Sequence, residues 1–421
     1  MVKKFFIIFL SVIFIFNFSL LHSAEPLDLE ALIKEAQKNN PEILAAKSRY
    51  AAAKARIPQA KSLEDPVVGL SFQYTKGSPF QFSKTPSDER MLSINQAIPS
   101  FGKLSLKGKI ALVESQMIAG DYKNKELQII NQVKRAYYDL FMNYKEEQLD
   151  TASLVFLRET VESTEAKYTV GQIEQEDLFK LNLEIAKLGN DIANLKQERA
   201  SIEARLNALL NRKPDVLVGV PELREEFSPT LDSDSLYRLA LENQPELLIF
   251  SYAIEKNKYA KSLAKRSFLP DIITGVAMRG ITTGTIGPWD LMLAFTVPLW
   301  FWTKQRYEVK EAIANLEEAQ AAYLVMKNRA MAEVKELYAK VKIAQNKINL
   351  YKNTQIPLLE ASIESSRSAY LSGRGDIMML LDSERMLVET KIDYYRALVE
   401  YYTNLADLGR AVGVDLSEVK K

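Results

Sequence analysis

One pattern of 28 residues occurs twice in the chain, 204 positions apart. The first copy is Asn39–Pro66 and the second is Asn243–Pro270, and the two align without a gap. Each copy opens on a Pro-Glu pair, at Pro41 and Pro245, and closes on another proline. Proline is well suited to the first turn of a helix, whereas the residue before a proline favours extended backbone. The pattern therefore predicts a helix followed by a strand, in an architecture that is present twice.

Short stretches of alternating apolar and polar residues follow each copy. In the first half they are Val67–Tyr74 and Met91–Pro99, and in the second half they are Asp271–Arg279 and Trp289–Trp300. Alternation over this length is typical of a strand with two different faces. The sequence therefore predicts two strands in each half of the chain.

Long helices are predicted for most of the remaining chain. The four helical segments are Leu27–Glu64, Lys103–Leu210, Ser235–Phe268 and Gln305–Val412. The two long segments are each interrupted once, around Gly171 and around Gly373. In the first long segment apolar residues recur every three or four positions, which gives the helix one apolar stripe for a partner helix. A helix from Lys103 to Tyr168 would be about 100 Å long, which favours a coiled coil.

These patterns divide the chain into four segments. They are a signal peptide at residues 1–24, a first structural repeat at 25–212, a linker at 213–234 and a second repeat at 235–421. The first segment has two lysines, then an apolar run and then small residues, as secretory signal peptides do. Cleavage is predicted after Ala24, with Ser23 as the alternative. A retained membrane anchor is the other interpretation.

Composition excludes several classes of site. Cysteine is absent, and signal-peptide cleavage would remove His22, the only histidine. Disulfides, thiolate metal sites, histidine triads and lipoprotein anchoring are then excluded. The 55 basic and 54 acidic residues nearly cancel, so no nucleic-acid partner is predicted. No nucleophile motif or glycine-rich phosphate loop is found, so neither an enzyme nor a cofactor is predicted.

Four strands of about nine residues are long enough to cross an outer membrane. They cannot close a barrel alone, because open strand edges have no partners in lipid and small membrane barrels have about eight strands. Several copies of the chain would then share one barrel. Trp289, Trp300 and Trp302 bracket the last strand, where an aromatic girdle is expected. Two ordinary hairpins on a soluble domain are the alternative.

The order and spacing of these motifs resemble the TolC-type outer-membrane efflux proteins. The resemblance rests on the Pro-Glu repeats, the glycine-broken helices and the exits "QAIPSFGK" and "FTVPLWFWTK" into long helices. It covers essentially the whole mature chain. It implies a mainly α fold with a long coiled-coil helical barrel. It also implies a small membrane β part, in which a homotrimer shares one 12-stranded barrel in the outer membrane of a Gram-negative bacterium.

The resemblance also implies partners and a function. The partners are a periplasmic adaptor, an inner-membrane transporter of the RND type and outer-membrane lipid. The function is a passive duct that exports small molecules, either drugs or metal ions, through the outer membrane and periplasm. A channel for type I protein secretion is one alternative, and a periplasmic coiled-coil adaptor or scaffold is another.

The family's periplasmic gate can be transferred only in part. In the family an arginine closely follows the break glycine of the second long arm, and two aspartates lie three residues apart further on. Arg374 follows Gly373, and Asp382 stands at the outer aspartate position. The inner position is Met379, which departs from the pattern, although Asp376 lies close by. The resemblance thus implies a pore gate of Asp382, Arg374 and Asp376, where a ring of like charge would favour cations. A solvated charge on a helix face is the alternative for Asp382.

The family docks its adaptor at the helix breaks. The corresponding residues are Val170, Gly171, Ser372 and Gly373. A plain helix-breaking turn is the alternative interpretation of each break.

Three methionines cluster near the second break, at Met378, Met379 and Met386. Thioethers suit Cu(I), but methionine at helical spacing more often fills a core. No metal site is therefore predicted.

Overall fold

The computed structural model describes residues 27–72, 90–171, 173–223, 225, 232–280 and 287–416. The predicted signal peptide, positions 73–74 of the first predicted strand and positions 224 and 226–231 of the predicted linker lie outside these residues. The described residues form long helices and one four-stranded antiparallel sheet. The predicted fold class, mainly α with four strands per chain, is confirmed.

The elements occur in the same order in both halves of the chain. The helices are α1 (Leu29–Asn39), α2 (Pro41–Lys61), α3 (Lys103–Thr169), α4 (Gln175–Leu209), α5 (Ser233–Asn243), α6 (Pro245–Arg266), α7 (Gln305–Leu350), α8 (Ile356–Leu371) and α9 (Ile377–Val412). The strands are β1 (Val67–Phe72), β2 (Arg90–Ile98), β3 (Asp271–Arg279) and β4 (Trp289–Thr296). Each half thus has a helix pair, two strands and a broken long helix, which confirms the predicted duplication. None of the described helices has both the length and the apolar character needed to cross a membrane.

The two helical segments before the strands are each split in two. The repeated Pro-Glu pairs predicted helix starts, and α2 and α6 begin at these prolines. The helical patterns over Leu27–Glu64 and Ser235–Phe268 did not predict the separate helices α1 and α5 before them. Asn40 and Gln244, the residues before these prolines, have extended backbone, because the proline ring disfavours helical backbone in the preceding residue. Asn40 also caps α2, since its Oδ1 accepts backbone N–H groups at 2.9 and 3.3 Å.

The four strands pair in chain order, and all neighbours are antiparallel. Helices adjoin the same end of every strand, because α2 and α6 precede β1 and β3 while α3 and α7 follow β2 and β4. At this end Asp271 accepts hydrogen bonds from the Ser100 backbone N–H at 2.6 Å and from Lys103 Nζ at 2.8 Å. These bonds hold the end of β2 and the start of α3 against the start of β3.

The first long arm is broken where the sequence predicted. α3 has 67 residues, which corresponds to about 100 Å of helix. Gly171 lies just beyond its end with φ of 73°, and Gly373 follows α8 with φ of 72°. Left-handed backbone of this kind strongly favours glycine, so both arms end in a turn that depends on the glycine.

The second long arm contains an irregularity that the sequence pattern did not predict. The segment Tyr351–Gln355 between α7 and α8 is π-helical. Pro357 follows this segment. Proline has no backbone N–H, and in a regular α-helix its ring would clash with the carbonyl four residues earlier, here that of Asn353. The Ile356 N–H bonds instead to the Tyr351 carbonyl, five residues back. The bulge therefore relieves the clash without ending the helix.

The chain forms two compact units, and each takes segments from both repeats. The first, here the tip unit, comprises the described residues up to Glu35 and those within Val133–Phe227 and Gln345–Glu400. The second, here the sheet unit, comprises those within Ala36–Gln132, Ser228–Ala344 and from Tyr401 onward.

Candidate functional site

One face of the sheet is apolar and exposed to solvent in the single chain. The strand register places Val68 and Leu70 opposite Ile94 and Leu92, and continues this face across β3 to β4. Its most exposed apolar side chains are Val68, Leu70, Ile94, Val276, Trp289, Leu291, Leu293 and Phe295. We call this the apolar face of the sheet. A continuous apolar surface of this kind marks a membrane or protein contact.

The opposite face of the sheet carries mainly small and polar residues. Ser93, Asn95 and Ala97 of β2 lie opposite Ala277, Gly275 and Ile273 of β3. A side chain on Gly275 would clash, because its Cβ would lie 2.1 Å from Asn95 Oδ1. The glycine therefore leaves room for a polar side chain on this face.

Aromatic residues lie at both ends of β4. Trp289 begins the strand, and Trp300 and Trp302 lie in the turn between its end and α7. The Trp300 and Trp302 rings pack edge-to-face at 6.1 Å, and Phe301 packs on Trp302 at 4.9 Å. At about 3.4 Å per residue, β4 spans about 24 Å along the strand, and aromatic residues thus lie at both ends of its length, as in the girdles of membrane barrels.

At the far end of the long arms, a small core joins four helices. Its buried members come from α3, α4, α8 and α9, and they are Leu157, Leu181, Tyr370, Ile377 and Leu380. Tyr370 is the polar centre of this core. Its hydroxyl hydrogen-bonds the buried Thr164 hydroxyl at 2.7 Å, and Lys167 Nζ donates to its carbonyl at 2.5 Å and lies over its ring at 4.0 Å. These contacts join the end of α3 to the end of α8.

Acidic side chains surround this contact. Burial raises the pKa of the Tyr370 phenol; the hydrogen bond to Thr164 lowers it, and the nearby Asp177 and Asp376 raise it further. Burial also raises the pKa of Asp177, and repulsion from Asp376 adds to the effect. The tip therefore holds two carboxylates close enough to repel each other, one at the start of α4 and one at the start of α9.

The three predicted gate residues all lie near the tip with exposed side chains, and no ion pair joins them within the described residues. Asp382 pairs with Arg385 at 3.0 Å. Arg374 donates to the Ser372 hydroxyl at 3.2 Å. Asp376 accepts the Met378 backbone N–H at 3.3 Å and so helps to cap α9.

The predicted adaptor-contact residues lie in the two tip turns. Val170 is exposed and precedes Gly171, and Ser372 is exposed and precedes Gly373. No side chain would clash at either glycine, because a Cβ there would meet no heavy atom within 4 Å. Both turns are therefore open surfaces.

Comparison with known proteins places this geometry in a family. The model of the outer membrane efflux protein family matches residues 32–212 and 236–414, which is most of the chain. The chain belongs to the outer membrane efflux protein family.

Individual members of the family are distant in sequence and similar in fold. The cobalt-zinc-cadmium resistance protein CzcC of Cupriavidus metallidurans is 19% identical over 93% of this chain and 91% of its own length. Outer membrane protein TolC of Escherichia coli is 21% identical over 94% and 84%. The crystal structure of outer membrane protein VceC from Vibrio cholerae superposes with a TM-score of 0.76 at 17% identity, over 92% of this chain and 96% of that one.

Membership of the outer membrane efflux protein family confirms several predictions from the sequence. The chain is an efflux channel of the outer membrane with a large periplasmic helical part. The family consists of channels, so the chain is not an enzyme.

Within the described residues, no group of three or more histidine, cysteine, aspartate or glutamate side chains could hold a metal ion.

The predicted linker makes a second set of contacts in the tip unit, and the sequence pattern did not predict them. Glu225 in the linker accepts hydrogen bonds from Tyr394 of α9 at 2.6 Å and from Lys352 of the π-helical segment. The hydrogen bonds from Lys352 and Tyr394 lower the pKa of Glu225. Tyr137 of α3 donates to the Glu222 carbonyl at 2.7 Å and accepts the backbone N–H of the same residue at 3.0 Å. No local pattern marks these contacts, because each joins residues 85 or more positions apart.

Proposed function

We propose that three copies of this chain form one passive duct through the outer membrane and periplasm. Each copy would supply four strands to a 12-stranded barrel and its long helices to a periplasmic tunnel. An inner-membrane transporter of the RND type and a periplasmic adaptor would deliver the cargo. The duct itself would be passive, because the pump would supply the energy for transport.

The open edges of the sheet carry this proposal. In the described residues β1 and β4 each have a partner on one side only. Unpaired strand edges are not tolerated in lipid, and four strands are about half of the smallest usual membrane barrel. The apolar face of the sheet supports a lipid-facing exterior, and the small and polar opposite face supports a water-filled interior. The girdles would be Trp289 at the outer end and Trp300 and Trp302 at the helix end.

The tip would serve as gate and docking site. A ring of three Asp382 side chains, with Arg374 and Asp376 nearby, would narrow the closed pore and favour cations. The adaptor would dock on the turns at Val170–Gly171 and Ser372–Gly373, where both surfaces are open. Exposure of these residues supports both roles.

The cargo would be small molecules, drugs or metal ions. Metal export is included because CzcC is named for resistance to cobalt, zinc and cadmium. Within the described residues no three or more histidine, cysteine, aspartate or glutamate side chains are grouped to hold a metal ion, so the choice of cargo would lie with the pump.

The proposal is tested by recording the purified protein in planar bilayers. We expect discrete conductance steps with a preference for cations. A protein that fractionates with the outer membrane but gives no conductance steps under any voltage would contradict a duct of this kind.

A further inference from the structure

An open apolar groove lies beside the helix end of the sheet, in the sheet unit. Its volume is about 850 Å³. All of its lining residues are apolar, and they include Phe268, Phe295, Trp300, Phe301 and Trp302. Phe295 belongs to the apolar face of the sheet, so the groove continues that face beyond the end of β4. Trp300 remains 66% exposed, which leaves an aromatic surface open for a ligand.

Two cations follow the aromatic residues of this groove closely along the chain. Lys304 and Arg306 are exposed, and neither forms an ion pair within the described part of the chain. Lys304 ends the turn that carries the aromatic rings, and Arg306 lies in the first turn of α7. The Lys304 N–H bonds to the Trp300 carbonyl at 2.9 Å, and the Arg306 N–H bonds to the Phe301 carbonyl at 2.9 Å.

The corresponding exit of the first repeat lacks this combination. Phe101 is 84% exposed there, but the cation that follows it is already paired. Lys103 Nζ lies 2.8 Å from Asp271, and its side chain is only 12% exposed. The two repeats therefore differ at this position. At the first exit the Lys103 charge is paired with Asp271, whereas at the second exit Lys304 and Arg306 form no ion pair within the described residues.

We infer that this groove binds an anionic phospholipid of the inner leaflet, with an acyl chain against the aromatic rings and the phosphate at Lys304 and Arg306. The inference rests on the proposed function, because it requires the apolar face of the sheet to lie in the membrane. The helix end of the sheet would then face the periplasm, at the depth of the inner-leaflet headgroups. Aromatic rings beside unpaired cations suit this depth, since the rings prefer the interface and the cations attract anionic headgroups.

The tryptophans provide the measurement, because the chain has only three. The full chain is reconstituted in phosphatidylcholine vesicles with a minor fraction of brominated phosphatidylglycerol or, separately, of brominated phosphatidylcholine. Bromine on the acyl chain quenches tryptophan at close contact. The Trp289→Phe variant reports on Trp300 and Trp302, and the Trp300→Phe/Trp302→Phe variant reports on Trp289 at the other end of the sheet.

In the Trp289→Phe variant we expect brominated phosphatidylglycerol to quench Trp300 and Trp302 as strongly as brominated phosphatidylcholine does at a lipid fraction at least about fivefold higher. Adding Lys304→Gln and Arg306→Gln should reduce the preference to about equal quenching, and raising the salt concentration should weaken it. The variant that reports on Trp289 should show no preference between the two lipids.

Three outcomes would overturn the inference, and they are distinguishable. Equal quenching by both lipids in the Trp289→Phe variant would mean that the groove takes lipid without selecting charge. Quenching of Trp289 but not of Trp300 and Trp302 would mean that another protein surface covers the groove. Quenching of none of the three would mean that the sheet lies outside the bilayer, and the proposed function would fail with it.

Discussion

Asp382 and Asp393 form a matched pair on α9 for a test of the gate. Asp382 is exposed and Asp393 is partly exposed, and each pairs with the arginine three residues further on, at 3.0 and 2.5 Å. Asp382 lies near the tip, and Asp393 lies about three helical turns away. We expect Asp382→Ala to reduce the cation preference of single channels, because it would remove one ring of negative charge from the proposed gate. Asp393→Ala should leave the preference unchanged, and equal effects of the two variants would contradict a gate at Asp382.

Tyr370 provides a second test at the residue scale. Tyr370→Phe removes one hydroxyl from a buried contact with Thr164, so it should destabilise the tip by about 1 kcal/mol. Amide exchange in the turn after α8 should become faster. Tyr168→Phe is the control, because that tyrosine is 42% exposed at the end of α3, beside the other tip turn at Gly171. Equal exchange in both variants would mean that the contact does not hold the tip together.

Asp150 predicts a pH dependence of stability. It is 7% exposed, and burial, with repulsion from Glu146 and Asp191, raises its pKa to about 6. The pKa of Asp150 in the folded protein thus lies above its unfolded value of about 3.9. The free-energy cost of burying the charged carboxylate is therefore nearly absent at pH 4 and grows as the pH rises through 6. Asp150→Asn should therefore stabilise the protein by about 1–2 kcal/mol at pH 8 and have little effect at pH 4.

Thermal melting followed by helical circular dichroism at the two pH values measures this effect. The exposed Glu364→Gln is the control for loss of one carboxylate from the tip unit. A gain from Asp150→Asn that is equal at pH 4 and pH 8 would show that charge burial is not its cause.

Residue-level sites were only partly predictable from the sequence. Asp382 was predicted as a gate residue because it lies nine residues after Gly373, where the family motif has its outer aspartate. The contact between Thr164 and Tyr370 was missed, because it joins residues 206 positions apart and no spacing rule connects them. The gate positions themselves remain a prediction, since the side chains of a single chain do not show what lines the pore.

At the scale of elements, glycine has opposite roles at two sites. Gly373 has φ of 72°, and alanine there would cost about 1 kcal/mol of backbone strain although nothing would clash. Gly189 lies inside α4 with open space around it, so Gly189→Ala should stabilise the helix by about 0.5–1 kcal/mol. Melting temperatures should therefore move in opposite directions. A rise for both variants would contradict the requirement for glycine at the tip turn.

The elements themselves were largely predictable, because their periodicities are strong. The alternating stretches become β1 to β4, and the glycines end the long arms where expected. The repeated prolines predicted where α2 and α6 begin, but the helical pattern merged them with the separate helices α1 and α5 that precede them. The π-helical segment was missed because Pro357 could equally have kinked or ended the helix, and only the packed arm shows which outcome is adopted.

At the scale of the whole molecule, the four-stranded sheet of a single chain would be incomplete in a membrane. The apolar face of the sheet and the two open strand edges need lipid and further strands. The duplicated sequence explains why each copy supplies two hairpins. The proposed number of three copies rests on barrel closure together with the family resemblance, and on no residue of a single chain.

The most direct test of this account is the mass of the protein extracted from the outer-membrane fraction, measured by light scattering with the detergent contribution subtracted. The account predicts a complex of three chains at all concentrations at which the channel conducts. A monomer or dimer that remains folded and conducts would contradict the shared barrel, because four or eight strands would then have to close the pore without a third copy.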